Sequence, residues 1–589
     1  MHDDKKLSKY NKSNVLELVT DWFKTSASAE GSWKKKAKEW YGYYDGEQWT
    51  SDEVAALVER GQAVTTYNHI APTIDAIIGG ERQNRPEIKM AGRTPDDDRI
   101  AEVKTELFRY ITYNSDTDNE TDSQIKDFLI TGRGWMSVYP NTNGQEFDDI
   151  KHDWIDYRDM FSDPLGKRDD LSDSRYVTQA IYTDADIVKS QFPSYKEDSG
   201  ESRGYFADSS EDELWYEGAD RKRPRLMSTW FRDEEGTVSV CVWVEGQVLY
   251  FKKAPYTMNM FPYDRMTYKL NLDNEPYGVV KAMVSPQDEV NKRHSKALHL
   301  LNAKQVLAEE DAFVDWNDAK KTLARPDGIT KLKDGALSEG RIQLIDNTAL
   351  ASAQISMMEH AKSQVMAMAG INASFMGQGG QYESGKASQS NVAAAQNVLV
   401  PMLNKIRIGR YRVAKITMQL VPDFYTDERL VRITGINGAY SFMPVNQVQQ
   451  LDDGTLVKFN DISSDDVDII VEDAPSSLND RAEQFNQLLG IQGQTGRPIP
   501  MEILLRYSGL KDKYQLASDL EAHYAMDAKV QEAQGYIQQL EQQLQGLGGE
   551  INQVKSQLVQ ANLARAVDKE VSKVKEEISK EKAQILGQL

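Results

Sequence analysis

The stretch NHIAPTIDAIIGGERQNRPEI, residues 68–88, combines a helical apolar pattern with a sharp stop signal. Its isoleucines recur at the spacing of one helix face. They are Ile70, Ile74, Ile77 and Ile78. Pro72 suits the first turn of such a helix, where its missing N–H costs little. Gly79–Gly80 weakens the helical pattern, and Pro86 pushes the preceding residue toward an extended conformation. The stretch therefore predicts a buried helix that leads into a strand.

The composition predicts a large, acidic protein with several domains. The chain has 589 residues, which is too long for one ordinary hydrophobic core. Its formal net charge is −21, whereas a protein that grips duplex DNA usually carries an excess of basic residues. Tight, static nucleic-acid binding is therefore not expected. An acidic wall is nevertheless compatible with DNA that has to slide past it.

Cys241 is the one cysteine of the sequence and lies in the strand-like run SVCVWVEG. We expect it to be a buried structural thiol. A single cysteine excludes an internal disulfide framework and a multi-cysteine zinc site. The first residues, MHDDKKLSKYNK, contain no apolar signal core, and no run of about 20 apolar residues occurs. We therefore expect a soluble protein with no membrane segment, made in a reducing cytoplasm.

The order of sequence patterns predicts an α+β fold. Residues 1–65 are charged and helical in pattern, and residues 99–135 indicate two helices separated by the acidic segment NSDTDNETD. From 135 to 276 the pattern changes to short strands such as WMSVYP and RYVTQAIY, rich in β-branched and aromatic residues. The acidic stretch at 197–213 is expected to be an exposed loop.

A helical apolar pattern returns at residue 277 in two segments, and a small insert lies between them. One long helix is predicted to end near Ala308, and a second to run from about Leu350 to Ala369. Between them DAFVDW, ITKL and RIQLI are typical of short strands. Two helices joined in this way place a small domain at the end of a stalk. A stretch rich in Gly, Ser and Gln then leads into a further long helix at about 387–420, and strands recur at RLVRITG, TLVKF and DVDIIVE.

The C-terminal segment carries a heptad-like apolar seam. Its apolar residues step by alternating intervals of four and three, which is typical of a coiled coil. They are Leu540, Leu544, Leu547, Ile551, Val554, Leu558 and Ala561. Gly546, Gly548 and Gly549 are expected to interrupt the helix, since each costs about 1 kcal/mol relative to alanine. A single helix cannot bury this seam, so it requires partners, most simply copies of itself.

Residues 380–386, GQYESGK, match the first seven positions of a phosphate-binding Walker A loop. IIVED at 469–473 resembles a Walker B strand, so a P-loop ATPase using residues 380–388 is one alternative. Ala387 occupies the position of the Mg²⁺-binding hydroxyl, however, and the segment before the loop has a helical pattern instead of that of a buried strand. We therefore favour a flexible loop between two helices, to which Lys386 adds a positive charge.

Metal and catalytic patterns are weak. Asp116, Asp118 and Glu120 have the spacing of a calcium loop, but no glycine occupies the sixth position and Asp127 replaces the final glutamate. An acidic helix-capping loop explains them better. The seven histidines are scattered, and neither H-E-x-x-H nor G-x-S-x-G occurs. The sequence thus gives no reason to assign a catalytic residue, a metal site or a cofactor.

The run KIRIGRYRVAK at 405–415 concentrates basic residues on one helix. Its charges spread around several faces, which favours a solvated or intersubunit salt-bridging surface. A nucleic-acid groove is the less favoured alternative.

Residues 68–88 closely resemble an N-terminal signature of portal proteins from short-tailed phages, in which a helix ending in a Gly…Arg-Gln-Asn-Arg-Pro run opens the wing domain. DIIVEDAPSSLNDRAEQFNQLLG at 468–490 is similar to the exit of that family from the wing into the crown helices. The order of elements over roughly residues 30–525 also resembles this family.

The resemblance implies a portal fold with an α/β wing, a two-helix stem, a small α/β clip, a helical crown and a C-terminal barrel helix. The implied divisions are a wing at 1–276, stem helices at 277–308 and 350–376, a clip at 309–349, a channel loop at 377–388, a long helix and return to the wing at 389–475, a crown at 476–525 and a barrel helix at 526–589.

The resemblance also implies a passive function. Twelve copies would form a ring at one capsid vertex, and double-stranded DNA would pass through it during packaging and ejection without sequence-specific contacts. The terminase large subunit, and later a head-to-tail adaptor protein, would dock on the clip. Major capsid and scaffold proteins would surround the ring. The protein would belong to the virion, would occupy the host cytoplasm during assembly, and would need no cofactor.

The resemblance implies two functional surfaces. The channel loop comprises Gln378, Gly379, Gly380, Gln381, Tyr382, Glu383, Ser384, Gly385 and Lys386. The terminase and adaptor surface of the clip comprises Phe313, Asp315, Trp316, Lys320 and Lys321. For Phe313 and Trp316, a position in the clip core is at least an equal alternative. Beside the P-loop ATPase, a coiled-coil capsid assembly or scaffold protein without a channel is the second alternative class.

Overall fold

The computed structural model places the chain in two compact units. The first unit comprises Met1–Thr434 and Tyr440–Ser477, and the second comprises Gly435–Ala439 and Leu478–Leu589. The structure describes residues 12–83, 85–93, 98–143, 146–196, 223–302, 305–323, 328–345, 347–372, 385–426, 429–434, 440–450, 456–459, 462, 467–472, 487–493, 504 and 513–586.

Helices of very different length make up much of the described chain. They are α1 (Lys12–Asp45), α2 (Ser51–Glu59), α3 (Ile70–Gln83), α4 (Asp98–Asn114), α5 (Thr117–Ile130), α6 (Ala185–Gln191), α7 (Val280–Asn302), α8 (Trp316–Leu323), α9 (Thr348–Ala369), α10 (Gly385–Phe424) and α11 (Lys513–Leu586). A short helical segment also covers 487–493. In the described part of the chain, none of these helices is both long enough and apolar enough to span a membrane.

The strands of the first unit lie between and after these helices. They are β1 (Glu87–Gly92), β2 (Arg133–Asn143), β3 (Glu146–Ile155), β4 (Met160–Ser162), β5 (Tyr176–Tyr182), β6 (Arg225–Arg232), β7 (Val238–Val244), β8 (Gln247–Lys253), β9 (Tyr263–Thr267), β10 (Lys269–Leu270), β11 (Pro276–Tyr277), β12 (Gln305–Ala308), β13 (Ile342–Ile345), β14 (Arg429–Thr434), β15 (Tyr440–Val445), β16 (Gln447–Gln450), β17 (Leu456–Phe459) and β18 (Val467–Glu472). This mixture of helices and small antiparallel sheets confirms the α+β class.

The strand-rich region predicted between 135 and 276 forms two larger antiparallel sheets, beside the short pair β10-β11. The larger sheet has the order β4-β5-β6-β7-β8, and the smaller has the order β3-β2-β9. Cys241 lies in β7 and is fully buried, as expected. Burial raises the pKa of the Cys241 thiol to about 12, which makes it an inert structural group.

The isoleucine stretch forms helix α3 and then strand β1, as predicted. Ile70, Ile74 and Ile77 are buried in the largest apolar cluster of the first unit. Asn68 caps the helix, because its Oδ1 accepts hydrogen bonds from two backbone N–H groups at 3.0 and 3.2 Å. Arg85 follows the helix and donates to Glu81 at 2.6 Å in a nearly fully buried ion pair. These contacts fix both ends of α3.

Strand β1 pairs with a strand that lies near the end of the first unit in sequence. It pairs antiparallel with β18, which is the predicted DVDIIVE strand. Ile88 lies opposite Val471, and Met90 lies opposite Ile469. The hairpin and its insert therefore lie in sequence between two strands, β1 and β18, that are neighbours in space.

The largest apolar cluster joins the long helices of the first unit. One member from each of six helices illustrates this: Trp33 of α1, Ile74 of α3, Phe128 of α5, Met283 of α7, Val365 of α9 and Ile406 of α10. A side chain of this kind contributes about 1.5–3 kcal/mol when it is fully buried. The hairpin helices α7 and α9 are thus anchored in the same core as the signature helix α3.

The described part of the second unit consists mainly of helix α11. The helix runs unbroken through Gly546, Gly548 and Gly549, so the prediction that they interrupt it is wrong. Each glycine costs about 1 kcal/mol, but a long helix continues through a few such residues because propagation adds one hydrogen bond for each residue. The predicted seam is exposed along the single chain, with Ile551 56% and Leu544 68% accessible.

Candidate functional site: a helical hairpin with a small insert

Helices α7 and α9 pack against each other and carry the insert at 305–345 between them. Small buried residues on α9, among them Ala351 and Ala361, permit close approach of the two helices. Gly370 ends α9 with a φ of +77°, in the left-handed conformation that glycine adopts without strain. The second helix was predicted at about 350–369, and this prediction is confirmed.

A row of polar residues on α7 holds an extended segment, residues 62–69, along the hairpin. Gln287 donates to the backbone oxygen of Tyr67 at 2.7 Å. Asn291 accepts from the backbone N–H of Tyr67 at 2.9 Å, and Ser295 donates to the backbone oxygen of Ala63 at 2.7 Å. All three side chains are buried. Sequence reasoning missed this row, although polar residues four apart on an otherwise apolar helix face were a usable signal.

The insert begins earlier than the sequence predicted. Helix α7 ends at Asn302, so the prediction that it continues to about Ala308 is wrong. Gln305–Ala308 is instead strand β12, which pairs antiparallel with β13. Val306 continued the helical apolar period by coincidence, and the partner strand that overrides this local pattern, β13, lies at the other end of the insert. The RIQLI strand is confirmed as β13.

The other strands predicted in the insert are largely wrong. DAFVDW and ITKL make a single bridge, between Phe313 and Leu332. The last residue of DAFVDW, Trp316, begins helix α8. The insert then closes around a small apolar cluster of Ala312, Phe313, Ala319 and Ala336.

The predicted clip residues occupy different environments. Phe313 is 4% exposed and belongs to the core of the insert, the position that the alternative reading gave it. Trp316 packs edge-on against the Phe313 ring at 4.8 Å, donates to the backbone oxygen of Glu310 at 2.9 Å, and stays 47% exposed. Asp315 caps α8 by accepting from the N–H of Asn317 at 2.8 Å.

Lys320 and Lys321 lie on the exposed side of α8. They are the exposed cations of the predicted clip surface, and Trp316 is its exposed aromatic residue. Gln378–Ser384 of the predicted channel loop lie outside the described residues. Gly385 and Lys386 form the start of the α10 backbone.

Exposed apolar side chains concentrate on the hairpin and insert. They include Leu301, Leu307, Val314, Ile329, Leu337, Leu344, Leu350, Ile355, Met357 and Met368. Exposed apolar surface of this kind is typical of sites that contact another protein. This part of the chain is therefore suited to being covered by another protein surface.

The basic run at 405–415 has a structural role within the chain. Lys405 donates to the backbone oxygen of Thr267 at 2.7 Å, and Arg410 donates to the backbone oxygen of Pro86 at 2.6 Å. Arg412 pairs with the fully buried Asp264 at 2.6 Å. The prediction of a solvated or intersubunit surface is therefore wrong for these three residues. Their partners come from distant parts of the chain, which a local charge pattern does not reveal.

The prediction of an acidic helix-capping loop is wrong, because helix α5 already begins at Thr117 and Asp116 before it makes no side-chain capping hydrogen bond. The carboxylates of α5 brace neighbouring elements instead. Asp118 pairs with Arg85 at 2.8 Å, and Glu120 accepts from the backbone N–H of Trp154 at 2.7 Å. Asp127 is buried, accepts from the Trp154 indole at 2.9 Å and also binds the Tyr41 hydroxyl. Burial raises the pKa of Asp127 to about 7. These carboxylates serve separate partners, so the segment braces the fold.

The hairpin, its exposed apolar surface and the exposed seam of α11 define the chain as a subunit suited to assembly. The sequence profile of the family described as Phage P22-like portal protein matches residues 20–580. Because the match spans nearly the whole chain, the chain belongs to this family. Portal proteins form a structural family, not an enzyme family. The resemblance to portal proteins is thereby confirmed at the level of the family.

A portal protein of Helicobacter pylori bacteriophage KHP30 is also similar to this chain. The two are 22% identical over 408 residues, which cover 66% of this chain and 64% of that protein. The chain thus aligns with slightly less than two thirds of the length of this relative. The similarity supports the family and leaves the roles of individual residues to be argued from the structure.

Proposed function

We propose that the chain is the subunit of a portal ring at one vertex of the capsid of a short-tailed phage. Twelve copies form the ring, and double-stranded DNA passes through its centre during packaging and ejection. The protein is made in the host cytoplasm and becomes part of the virion. Family membership and the hairpin with its insert support this proposal.

The described elements refine the divisions that the sequence resemblance implied. The wing comprises residues 1–276 together with strands β14 to β18, and the stem comprises α7 and α9. The clip comprises 305–345, because β12 and β13 belong to it. The channel loop is assigned to residues 377–388, although 385–388 belong to the start of the α10 backbone, so the loop prediction is wrong for these last four residues. The crown at 476–525 leads directly into the barrel helix at 526–589, since α11 crosses that boundary.

The exposed apolar surface of the hairpin and insert is the single observation that carries the proposal. In a ring, each subunit covers such a surface with the neighbouring copy, which removes its apolar area from water. Each square ångström of apolar area removed contributes roughly 25 cal/mol. The same argument applies to the α11 seam, where copies of the helix would bury the heptad positions.

The acidic composition fits a channel for DNA. A ring of chains that each carry a net charge of −21 is strongly negative. Such a wall repels phosphates and keeps duplex DNA mobile, in contrast to the basic surfaces of proteins that hold DNA. The channel loop then supplies brief contacts through Lys386 and the polar residues before it.

The exposed side of the clip is the docking surface for the terminase large subunit and later for the head-to-tail adaptor protein. Trp316 offers an aromatic anchor, and Lys320 and Lys321 offer positive charge beside it. Aromatic residues are enriched among the energetically dominant contacts of protein interfaces. Phe313 supports Trp316 from the core, and Asp315 fixes the start of α8. Major capsid and scaffold proteins contact the outer face of the ring.

Negative-stain electron microscopy combined with mass photometry tests the ring. We expect particles with a central hole and a mass near twelve times 66.6 kDa. Elongated dimers or trimers without a hole would overturn the portal ring in favour of the scaffold alternative. If the purified chain is monomeric, the same measurements are repeated on capsid vertices assembled in cells with the scaffold and capsid proteins.

A matched pair of variants tests the exposed surface. Met357 on α9 and Ile187 on α6 are each 47% exposed. We expect Met357→Asp to abolish or greatly reduce ring formation and Ile187→Asp to leave it intact. Equal losses in both variants would argue against a specific role of the hairpin.

A further inference from the structure

A small polar cavity lies where α1, the sheet β3-β2-β9 and two turns meet. Its volume is about 70 Å³, well above the roughly 10–15 Å³ that one water molecule requires. The side chains that matter here line it together: Glu30, Trp33, Arg133, Ser162, Arg265 and Thr267. Glu30, Arg133, Arg265 and Thr267 are each more than nine-tenths buried. The portal function proposed above assigns this cavity no role.

Several hydrogen-bond donors of this cavity lack a partner among the described residues. They are Nε and Nη1 of Arg265, Nε of Arg133 and Oγ1 of Thr267. Both guanidinium groups are otherwise well fixed. Nη2 of Arg265 donates to the backbone oxygen of Arg168 at 2.6 Å, and Nη1 of Arg133 donates to Oε1 of Glu30 at 3.0 Å. Since buried donors are nearly always hydrogen-bonded, these atoms indicate an occupant with several acceptors.

The carboxylates at the rim do not neutralise the two arginines directly. Nε of Arg265 lies 3.9 Å from Asp169, beyond hydrogen-bond distance. Asp163 already accepts from two backbone N–H groups at 3.0 and 2.9 Å. Glu275 is paired with Lys36 at 2.8 Å. Arg133 is nevertheless paired with Glu30 at 3.0 Å, so the cavity retains unused hydrogen-bond donors on both arginines more than unpaired charge.

One acceptor in the cavity also lacks a hydrogen-bond partner. Oε2 of Glu30 makes no hydrogen bond among the described residues, and its ion-pair partner Lys34 is 3.8 Å away. An occupant must therefore accept several hydrogen bonds and donate one. Chloride cannot donate, and sulfate carries no proton near neutral pH. A hydrogen phosphate ion carries acceptor oxygens and one O–H group.

We propose that the cavity binds one inorganic hydrogen phosphate ion. Its oxygens accept from Arg133, Arg265 and Thr267, and its hydroxyl donates to Oε2 of Glu30. Hydrogen bonds from arginine to phosphate are charge-assisted and therefore stronger than those between neutral groups. The ion links the N-terminal helix α1 to β2 and β9 and therefore stabilises the wing.

Thermal unfolding of the full-length protein tests the proposal. The melting temperature is followed by tryptophan fluorescence in phosphate, sulfate and chloride series at equal ionic strength and pH. We expect phosphate to raise the melting temperature continuously with its concentration, as a ligand that binds the folded state does. Sulfate should act at least tenfold more weakly. Equal effects of phosphate and chloride would overturn the proposal and show that water fills the cavity.

Variants test whether the effect of phosphate on the melting temperature arises at this cavity. Arg265→Gln removes the charge, and Thr267→Val removes only one donor from a side chain of the same shape. Each should weaken the apparent phosphate affinity at least tenfold, whereas Arg93→Gln, at an exposed arginine elsewhere, should not change it. If Arg265→Gln does not fold, the apparent phosphate affinity of Thr267→Val alone tests the site. An unchanged phosphate response in Thr267→Val and Arg265→Gln would contradict the site.

A third variant tests the proton that the ion donates. Glu30→Gln keeps an acceptor for Arg133 and turns the unused carboxylate oxygen into a donor. It should remove the preference for phosphate over sulfate. A retained preference would contradict the hydrogen bond to Glu30.

Discussion

Helices α3 and α11 both carry an apolar stripe at helical spacing, but only the stripe of α3 is buried within the chain. Ile74 of α3 is fully buried among residues of five other helices. Ile551 of α11 is 56% exposed. The residue type and the local pattern are alike, so the difference lies in what surrounds them. The first unit completes its own core, whereas α11 leaves its seam to be covered.

The positions of the tryptophans allow the stability of the two units to be measured separately. All ten tryptophans lie in the first unit and none in α11, so tryptophan fluorescence follows the first unit alone. Far-ultraviolet circular dichroism also detects the helix of 74 residues. The two signals together assign the effect of a substitution to one unit.

The largest expected effect is the loss of a buried isoleucine from α3. Ile74→Ala should lower the free energy of unfolding of the first unit by about 2–5 kcal/mol, because it removes buried methyl groups and leaves a cavity. Urea unfolding followed by tryptophan fluorescence measures this change. A loss below about 0.5 kcal/mol, the size of a surface effect, would show that the α3 stripe does not hold the core together.

The next effect is a pH dependence that arises from buried groups of the first unit. The His152 ring lies between Thr117 and Thr417, each at 2.8 Å. Thr417 donates its own proton to Val413, so Nε2 of His152 must be the donor to Thr417. When the ring is neutral, Nδ1 accepts from Thr117. Burial lowers the pKa of His152 to about 3, below its value of about 6.5 in an unfolded chain.

His152 and Asp127 act on stability with opposite signs. Below about pH 6.5 the unfolded chain protonates His152 and the folded chain does not, so stability falls by about 1.4 kcal/mol for each pH unit. Burial raises the pKa of Asp127 to about 7. The folded chain therefore keeps a proton that the unfolded chain loses above about pH 4, and this contribution to stability disappears as the pH rises toward 7.

Two substitutions separate these contributions. Asp127→Asn should leave a first unit whose stability falls steeply from pH 6.5 to pH 4. His152→Gln should leave one whose stability falls as the pH rises over the same range. Urea midpoints measured by tryptophan fluorescence at several pH values give both slopes. Parallel pH profiles in the two variants and the wild type would refute the assignment.

Gly548→Ala should produce a smaller, stabilising effect in α11. A Cβ at this position would meet no heavy atom within 4 Å, and the residue is helical. Alanine should therefore stabilise the helix by about 1 kcal/mol. The helix signal in circular dichroism should persist to higher temperature, while the tryptophan signal should stay unchanged. A shift in the tryptophan signal would show that the two units do not unfold independently.

Local patterns predicted the parts of the fold that depend on local forces. The stripe of α3, helix α9 and the seam of α11 follow from apolar spacing within one helix. The end of α7 was placed wrongly because β12 depends on its pairing with β13, across the insert. The role of Arg412 was missed because its partner Asp264 lies on β9. The polar cavity was likewise not predicted from the sequence, since its side chains come from separate elements of the first unit.

Ile551→Ala gives the smallest effect in a single chain and the sharpest comparison with Ile74→Ala. The chemical change is identical, but the side chain is exposed, so the stability of the monomer should change by no more than about 0.5 kcal/mol. In the proposed ring the seam would be covered, and the same substitution would be repeated in every copy. Mass photometry at decreasing protein concentration should then show the variant ring dissociating at higher concentration than the wild type. If the variant ring were as persistent as the wild type, the seam would not be an intersubunit contact, and the exposed residues of α11 would need a different partner.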